Sequence, residues 1–504
     1  MTAALVEPIA LPELTLAAFA GRPVVVLGFA RTGIAVARFL ADRGALVTVY
    51  DVRPADELRE ALAALGGRDV RLLLGRAVDP ASALEGQSLV VTSPSVSSRY
   101  PTTEPRLRAA LGVLLADGRV PVVSEVDLFL RLCPATTIGV TGTKGKTTTA
   151  SLTAAVLAAG AAPVLLGGNV GTPLVERLPE LTPAHRVVLE LSELQLPTLS
   201  RGTTVAVYTQ VTADHLDRHG SVAAYRAAKR RLAELVDPEG ALVLNAEDPV
   251  SAAYAGMGTV PVMLYRRDAP LPGGVGVHDG WIVAAAIERL PAAGGGPAAL
   301  GPGGRVMPLE EIGLPGAHSV SNVLAAVGVG LLFGVAPDGI RRAVAAFRGV
   351  EHRLETVAVH DRVRYVNDSQ GTQPDAVIAA LRSFSAPLVL IAGGRAKGLS
   401  MEALAQVAVE RAMAVLLIGE SARTFAHIFA RAGHRRVELL GSLEAAVVRA
   451  DEIAHSELVG APPATTATVL LSPAAASFDM FADYAARGRA FAAAVESLLA
   501  GRPG

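Results

Sequence analysis

The stretch Ile138-Gly139-Val140-Thr141-Gly142-Thr143-Lys144-Gly145-Lys146-Thr147-Thr148-Thr149 decides the fold of the central part of the chain. An apolar run leads into a glycine-rich turn, and Lys146 and Thr147 then begin an alanine-rich, helix-forming segment. The backbone N–H groups of such a turn and the helix N-terminus bind phosphate oxygens, while the lysine reaches the outer phosphates and the hydroxyl binds Mg²⁺. The stretch therefore predicts a phosphate-binding loop between a strand and a helix.

The first glycine of the usual phosphate-loop pattern is displaced. The pattern G-x-x-x-x-G-K-[ST] places glycine at position 140, where this chain has Val140, and Gly139 stands one place earlier. A glycine-rich turn without a ligand is the alternative interpretation. The lysine-threonine pair between a strand and a helix favours the phosphate loop.

The composition limits what the rest of the chain can be. Its 504 residues are 51% hydrophobic and 18% charged, which allows about three domains with buried cores. A net charge of -1 without a basic cluster disfavours nucleic acid as the main partner. The single cysteine, Cys133, excludes an internal disulfide and fits a reducing cytoplasm. No secretory leader is expected, and the longest apolar run, 323–336, is too short to span a membrane and predicts a buried helix.

Lysine is scarce here, which makes each lysine a candidate for a chemical role. A GC-rich genome explains the scarcity, and the lysines that remain should mark positions where arginine cannot substitute. They are Lys144, Lys146, Lys229 and Lys397. Asparagine is equally rare, at Asn169, Asn245, Asn322 and Asn367.

The N-terminal part begins as a βαβ unit. A predicted strand at 23–27 leads into a turn from Gly28 to Gly33, a helix, and a second strand that ends at Asp51. A helix N-terminus then faces a pyrophosphate, and the acid lies where a ribose or base would bind. Ala30 replaces the middle glycine of a dinucleotide loop, so a nicotinamide cofactor is disfavoured. The polar turn at Ser93 either lines the same crevice or is an ordinary connection.

Beyond the phosphate loop, polar segments follow two predicted strands. Strand 186–189 ends at Glu190, and an acid beside a phosphate loop is placed to bind Mg²⁺, although a surface acid is the alternative. The segment 210–221 holds two histidines and two aspartates after strand 205–209, which suggests a second cation or phosphate site. The helix predicted at 222–235 carries Lys229 one turn after Tyr225.

The C-terminal third is predicted to contain a parallel sheet. Residues 266–308 are rich in glycine and proline and predict hairpins and loops, with Trp281 as a local packing anchor. Further on, strands alternate with helices at 363–366, 388–391, 415–418 and 469–471. Polar turns follow at 367–372, 393–398 and 472–477, at the sheet edge where open α/β sheets bind ligands.

Together these segments resemble the Mur ligases from Gly28 to about Arg487. The motifs that carry the resemblance are VTGTKGKTTT, GNVG, ELSELQL, VTADHLDRHGS with YRAAK, LNAEDP, GVEHR, NDSQGT, GGRAKG and LSPAAASFD. The resemblance implies an α/β fold with three domains. These are a Rossmann-like UDP-sugar-binding domain at 1–123, a P-loop ATP-binding domain at 124–349 and a Rossmann-like amino-acid-binding domain at 350–504.

The resemblance also implies an activity. GVEHR and LSPAAASFD are similar to the members that add D-glutamate to UDP-N-acetylmuramoyl-L-alanine, through an acyl phosphate formed with ATP and two Mg²⁺ ions. This implies a monomer in the cytoplasm that makes a peptidoglycan precursor, without nucleic acid or a membrane as partner. The alternatives are another Mur-type ligase, a folylpolyglutamate-type ligase and a non-catalytic nucleotide-binding relative.

The resemblance assigns roles by position. The catalytic residues are Lys146, Glu190, His215 and Lys229. Thr147 and Glu190 match ligands of the first Mg²⁺, His215 matches a ligand of the second, and Lys229 matches the metal-site lysine that the family carbamylates. The ATP contacts are Gly142, Thr143, Lys144, Gly145, Lys146, Thr147, Thr148, Asn322, Arg353 and Asp368. The UDP-sugar contacts are Gly28, Thr32, Gly33, Asp51, Ser93, Asn169 and Gln195. The amino-acid contacts are Thr372, Lys397, Ser477 and Tyr484.

This chain departs from the family pattern at several positions. Gln370 stands where the family commonly has lysine, and Ala396 where an acid often precedes Lys397. Ser319 replaces an asparagine, and Ser95 replaces a glycine. Lys144 adds a charge where a neutral residue is more usual. These differences concern the choice of amino acid more than the ligase chemistry.

Overall fold

The computed structural model describes residues 7–101, 103–169, 173–214, 216–258, 260–314, 317–396 and 399–501. The chain forms two compact units, Met1–Phe347 and Arg348–Gly504. Among the helices of the described residues, none combines the length and the apolar character that a membrane crossing requires.

The first unit begins with a Rossmann-like parallel sheet. Its strands are β1 (Pro23–Leu27), β2 (Leu46–Asp51), β3 (Arg71–Leu74), β4 (Leu89–Thr92) and β5 (Val122–Ser124). Its helices are α1 (Arg31–Ala41), α2 (Arg59–Ala64), α3 (Pro80–Leu84) and α4 (Pro105–Asp117). The strand order is β3-β2-β1-β4-β5, with β1 parallel to both β2 and β4. The predicted βαβ start is confirmed, and the domain boundary predicted after residue 123 falls within β5.

A second sheet follows within the same unit. Its strands are β6 (Thr136–Thr141), β7 (Val164–Gly168), β8 (Arg186–Glu190), β9 (Val205–Tyr208), β10 (Ala241–Asn245), β11 (Val262–Tyr265), β12 (Val275–His278), β13 (Trp281–Ala284) and β14 (Arg305–Pro308). The accompanying helices are α5 (Glu125–Leu132), α6 (Lys146–Ala158), α7 (Leu216–His219), α8 (Val222–Glu234), α9 (Pro249–Ala252), α10 (Ala317–Leu332) and α11 (Pro337–Ala346).

This second sheet has the order β14-β13-β12-β11-β10-β9-β6-β8-β7. β6, which leads into the phosphate loop, lies between β8 and β9 and is parallel to both. The strands β12, β13 and β14 form an antiparallel meander, which confirms the hairpins predicted for this region. The guanidinium of Arg305 lies 4.9 Å from the centre of the Trp281 ring.

Two hydrophobic cores stabilise the second sheet. One face packs against α6 and the apolar helix α10. The other face shares a continuous core with α1 and α5, which joins the first two sheets into one compact unit. The buried helix predicted at 323–336 is confirmed as far as Leu332, where it ends. Backbone hydrogen bonds from the N–H groups of Gly334 and Val335 to the carbonyls of Leu331 and Gly330 turn the chain away.

The second unit contains the third sheet, with a core on each face. Its strands are β15 (Glu355–His360), β16 (Val363–Asn367), β17 (Leu388–Gly393), β18 (Ala414–Ile418), β19 (Val437–Leu439) and β20 (Ala467–Leu471), and its helices are α12 (Pro374–Ser383), α13 (Glu402–Arg411), α14 (Ala422–Arg431), α15 (Leu443–Leu458) and α16 (Tyr484–Ala500). The order is β15-β16-β20-β17-β18-β19. The four predicted strands are parallel, as expected. The edge strand β15, which the sequence did not predict, is antiparallel.

Candidate active site

The predicted phosphate loop joins β6 to the N-terminus of α6. Gly145 adopts a φ of +81°, and a Cβ atom there would lie 2.6 Å from Oδ1 of Asn322, so only glycine fits. The same Oδ1 accepts a hydrogen bond of 3.2 Å from Oγ1 of Thr149. Asn322, on α10 and a predicted ATP contact, therefore lies directly against the phosphate loop.

Hydrogen bonds fix the shape of the loop. The N–H of Thr143 donates to the carbonyl of Gln210 over 2.6 Å, and the Thr143 hydroxyl lies 2.9 Å from the Tyr225 hydroxyl. Oγ1 of Thr209 donates to the carbonyl of Lys144 over 2.6 Å. Nζ of Lys146 donates to the Thr143 carbonyl over 2.9 Å. The Lys146 ammonium therefore lies over its own loop, in reach of a phosphate bound there.

Glu190 lies at the C-terminal end of β8, beside the loop. Glu190 pairs with Val140 of β6 in the parallel sheet and is 2% exposed. Oε1 accepts a hydrogen bond of 2.9 Å from Nδ2 of Asn169, whereas Oε2 is buried without a hydrogen-bond partner among the described residues. A buried carboxylate oxygen without a partner is costly unless a ligand occupies it. Together with the buried hydroxyl residue Thr147, this oxygen fits Mg²⁺, which prefers oxygen ligands.

Lys229 is fully buried on α8. Its Nζ donates a hydrogen bond of 3.1 Å to Oγ1 of Thr141 and lies 5.6 Å from the centre of the Tyr225 ring. Burial, followed by the positive charge of Lys146, lowers the pKa of Lys229 from 10.5 to about 7, against the opposite effect of carboxylates led by Glu193. A substantial share of the amine is therefore neutral near pH 7.

His215 lies outside the described residues. Within those residues, no three His, Cys, Asp or Glu side chains form a group that could bind a metal ion. The predicted metal set contains two residues of these types, Glu190 and His215, together with Thr147 and Lys229. Asp214, the described neighbour of His215, contributes to the field at Lys229.

A cavity of about 440 Å³ lies between the first sheet and the second. Six of the predicted UDP-sugar residues line it from the two sheets: Gly28, Thr32, Asp51, Ser93, Asn169 and Gln195. The N-terminus of α1 opens onto this space through Ala30 and Arg31. A smaller cavity of about 300 Å³ shares Gly28 with it.

Asp51 and Gly33 have structural roles within the protein that the sequence did not indicate. Asp51 lines both cavities, but its oxygens already accept hydrogen bonds from the Phe29 N–H over 2.7 Å and from Arg53. These bonds outweigh burial and lower the pKa of Asp51. Gly33 does not line either cavity. A Cβ atom there would lie 1.9 Å from the Gly28 carbonyl oxygen, so this glycine permits the tight turn.

Glu125, which was not predicted from the sequence, also lines the larger cavity. This first residue of α5 accepts hydrogen bonds at Oε1 from the N–H groups of Leu174 and Val175, over 3.1 and 3.3 Å. Burial raises its pKa from 4.5 to about 7. An acid at the start of a helix is common, so the sequence carried no signal for this position.

In the second unit, Asp368, Thr372 and Ser477 follow the C-terminal ends of β16 and β20, whereas Arg353 precedes β15 and Tyr484 is the first residue of α16. Asp368 is buried, and its oxygens accept hydrogen bonds from the Ser472 hydroxyl over 2.6 Å and from the Leu354 N–H over 3.2 Å. Burial raises the pKa of Asp368 to about 6. Ser477, in the same turn as Ser472, is buried. Thr372 is half-buried, and Arg353 is exposed. Lys397 lies outside the described residues.

Arg487, a second residue that was not predicted from the sequence, supports this region from α16. Its guanidinium is 1% exposed and donates hydrogen bonds to Oγ and the carbonyl of Ser369, both over 3.0 Å, and to the Ala475 carbonyl over 3.2 Å. Oγ of Ser369 in turn donates to the carbonyl of Tyr484 over 2.8 Å. Arg487 thus joins the two polar turns to the start of α16. Burial lowers its pKa to about 10.

Comparison with known families matches all three parts of the chain. Residues 22–113 match the model of the Mur ligase MurD-like N-terminal domain, residues 140–330 the Mur ligase middle domain, and residues 352–474 the Mur ligase glutamate ligase domain. These ranges fall on the three sheets in turn.

Similar proteins match along almost the whole chain. A UDP-N-acetylmuramoylalanine--D-glutamate ligase from Pelotomaculum thermopropionicum is 36% identical, over 96% of this chain and 99% of the relative. The protein of the same name from Roseiflexus sp. is 39% identical, over 95% of this chain and 99% of the relative. A solved structure of UDP-N-acetylmuramate-alanine ligase from Thermotoga maritima is 18% identical, with a TM-score of 0.49, and the match covers 95% of this chain and 100% of that one.

Proposed function

This chain belongs to the Mur ligase family, and on that premise we propose that it joins D-glutamate to UDP-N-acetylmuramoyl-L-alanine with the use of ATP, in peptidoglycan precursor synthesis. The near full-length identity to relatives that bear this name supports the choice of substrates. The observation that carries the chemistry is that three features lie together at the C-terminal ends of β6 and β8. They are the phosphate loop, the Oε2 atom of Glu190, which has no hydrogen-bond partner among the described residues, and the buried Lys229.

The proposed reaction has two steps. An oxygen of the alanyl carboxylate attacks the γ-phosphorus of ATP, and ADP leaves, which gives an acyl phosphate. The amine of D-glutamate then attacks the acyl carbon, and the tetrahedral intermediate releases inorganic phosphate as the amine loses a proton. Because anions approach each other in the first step, the site must supply positive charge and oriented N–H groups.

We assign the triphosphate to the loop 142–148, with Lys146 at the outer phosphates. Thr147 and Glu190 would hold one Mg²⁺ and His215 a second. Bound Mg²⁺ offsets the charge of the phosphates and of the attacking carboxylate. The further ATP contacts that we propose are Asn322, Arg353 and Asp368.

Lys229 is the proposed site of carbamylation. Its neutral amine would attack the carbon of CO₂, and the N–C bond would form as one C=O π pair moves to oxygen. The nitrogen would then lose a proton, which leaves a carbamate anion where the protonated lysine would be a cation. Burial and the lowered pKa of Lys229 support this step, because only the neutral amine is nucleophilic. The resulting carbamate would orient the metal site beside Thr141.

The UDP-sugar is proposed to occupy the cavity between the two sheets. Its pyrophosphate would lie at the N-terminus of α1, beside Thr32, because a helix N-terminus favours anions. Asn169 and Gln195 would line the sugar side, and Gly28, Gly33, Asp51 and Ser93 would shape the nucleotide side. Thr372, Lys397, Ser477 and Tyr484 are the proposed contacts of D-glutamate.

The experiment that tests this function is phosphate release by the full-length chain. With UDP-N-acetylmuramoyl-L-alanine, ATP and Mg²⁺, release should depend on D-glutamate and not on L-glutamate. A folate acceptor with L-glutamate serves as the control for the folylpolyglutamate-type reaction. Phosphate release at the same rate with and without D-glutamate would overturn the proposal. We further propose that the enzyme acts as a monomer in the cytoplasm, which sedimentation of the purified chain and fractionation of cells would test.

A further inference from the structure

Helix α5 carries two buried acids whose surroundings differ. Asp127 is saturated: Oδ1 accepts from the Ser200 N–H over 2.7 Å, and Oδ2 accepts from Nε of Arg131 over 3.1 Å. Glu125 is 6% exposed and uses only Oε1, which accepts from two backbone N–H groups. Its Oε2 receives no hydrogen bond from the residues that the structure describes. Asp127 therefore serves the packing of α5, whereas Glu125 retains an oxygen for another partner.

Glu125 lies on the wall of the larger cavity, with the N-terminus of α1 and the Asn169 region as other parts of that wall. Under the proposed function, the pyrophosphate binds at α1 and the alanyl carboxylate lies toward Glu190. The part of the substrate between these two anions is the uncharged sugar with its acyl substituents. Glu125 is thus placed to meet a polar but uncharged group.

Burial favours the protonated form of Glu125, whereas the two backbone N–H groups at Oε1 and the charge of Arg31 favour the ionised form. Burial is the largest influence, and the positive charge of Arg31, at the start of α1, opposes it only partly. The other charged residues on this wall, Asp51 and Arg53, pair with each other over 2.8 Å. A pyrophosphate bound in the same cavity would disfavour a second negative charge.

We propose that Glu125 is a further substrate-binding residue, whose carboxyl group donates a hydrogen bond from Oε2 to a carbonyl or hydroxyl oxygen of the sugar part of the UDP-sugar. This inference rests on the proposed function and adds a specificity residue to it. Oε1 meanwhile holds the turn at Leu174 and Val175. The same side chain therefore fixes one wall of the cavity and contacts its occupant.

The test compares Glu125→Ala, Glu125→Gln and the matched control Asp127→Asn on the same helix. Glu125→Ala should raise the KM for UDP-N-acetylmuramoyl-L-alanine about tenfold, the effect of one lost hydrogen bond, and leave the KM for ATP unchanged. The affinity for UDP alone, measured by calorimetry, should stay within about twofold, since UDP lacks the sugar. Glu125→Gln should keep the KM within about threefold, because its amide can donate in place of Oε2 and accept in place of Oε1. Asp127→Asn should lower the Tm without changing this KM.

Three results would overturn the proposal. They are an unchanged KM in Glu125→Ala, an equal loss of affinity for UDP alone, and a KM in Glu125→Gln as high as in Glu125→Ala. If Glu125→Ala does not fold, Glu125→Gln and wild type still give a test, because a tenfold difference between them contradicts a donor role. A wild-type chain that binds the UDP-sugar but releases no phosphate would refute the proposed function alone, and binding calorimetry would still test Glu125.

Discussion

The Nζ atom of Lys229 donates a hydrogen bond to Oγ1 of Thr141, 3.1 Å away, at the end of the strand that leads into the phosphate loop. The Thr141 hydroxyl in turn donates a hydrogen bond of 2.8 Å to the carbonyl of Leu191, one residue after Glu190. A lysine on α8 is thus connected through one hydroxyl to the two strands that border the proposed metal site. Because of this connection, the burial of Lys229 affects the proposed metal site as well as the packing of α8.

Lys229→Arg should abolish turnover while ATP still binds. A guanidinium keeps its proton at any physiological pH, so it cannot form a carbamate, and it is bulkier than the ammonium of the fully buried Lys229. We expect phosphate release to fall at least about 100-fold, in the range seen when a group that acts in the transition state is lost. Arg226→Lys, on the exposed face of the same helix, is the matched control and should keep wild-type activity. Full activity of Lys229→Arg would remove the carbamate from the mechanism.

Glu190→Gln should impair activity through metal binding. The amide keeps the shape and the contact with Asn169, but it lacks the charge that a divalent cation requires. The Mg²⁺ concentration for half-maximal activity should rise at least about tenfold, as measured by titration of phosphate release. Glu180→Gln, which alters an exposed acid paired with Arg177, should leave the titration unchanged. A wild-type Mg²⁺ titration in Glu190→Gln would exclude Glu190 as a ligand.

Lys144→Asn should weaken ATP binding modestly. Because Thr209 holds the backbone carbonyl of Lys144, the substitution removes the exposed ammonium and leaves the loop in place. The KM for ATP should rise about threefold to fivefold, the scale of an exposed charge interaction, and less at high salt. Arg342→Asn removes an exposed cation from α11 and should have no effect. An unchanged KM in Lys144→Asn would show that this lysine has no role in nucleotide binding.

Glu125→Gln should change how stability depends on pH. The native pKa of about 7 lies above the ordinary value of 4.5, so the native state binds more protons than the unfolded state between these two values. The stabilisation relative to an ionised carboxyl is fully present below pH 4.5 and is lost as pH rises through 7. The free energy of unfolding of wild type, compared with that of Glu125→Gln, should therefore fall across this window by at most about 3 kcal/mol. Denaturant unfolding at pH 5 and pH 8 measures this, and a constant difference would contradict the assignment.

Much of the architecture could be predicted from the sequence because local patterns decide it. The strand before Gly142, the glycine at position 145 and the apolar run of α10 each specify their element without help from distant residues. β15 was missed because it is a partly exposed edge strand, whose alternation is weak. Its antiparallel pairing with β16 is a hairpin that closes through Asp361 and Arg362, both with positive φ, and this turn lacks the glycine that usually marks such hairpins in a sequence.

The candidate site was harder to predict where common residue types act in unusual surroundings. Lys229 attracted attention because lysine is rare in this chain. Arg487 did not attract attention, because most basic residues of this chain are arginines and only the fold shows that this one is buried. Glu125 looks like any acid at a helix N-terminus until the turn at Leu174 is packed against it.

The measurement that tests the central claim most directly follows oxygen from substrate to phosphate. UDP-N-acetylmuramoyl-L-alanine labelled with ¹⁸O in its alanyl carboxylate is incubated with the full-length chain, ATP, Mg²⁺ and D-glutamate, and both products are weighed by mass spectrometry. Acyl-phosphate ligation predicts one ¹⁸O atom in the released phosphate and one D-glutamate joined to each product molecule. Phosphate without ¹⁸O, or a UDP-sugar that gains no D-glutamate, would contradict it.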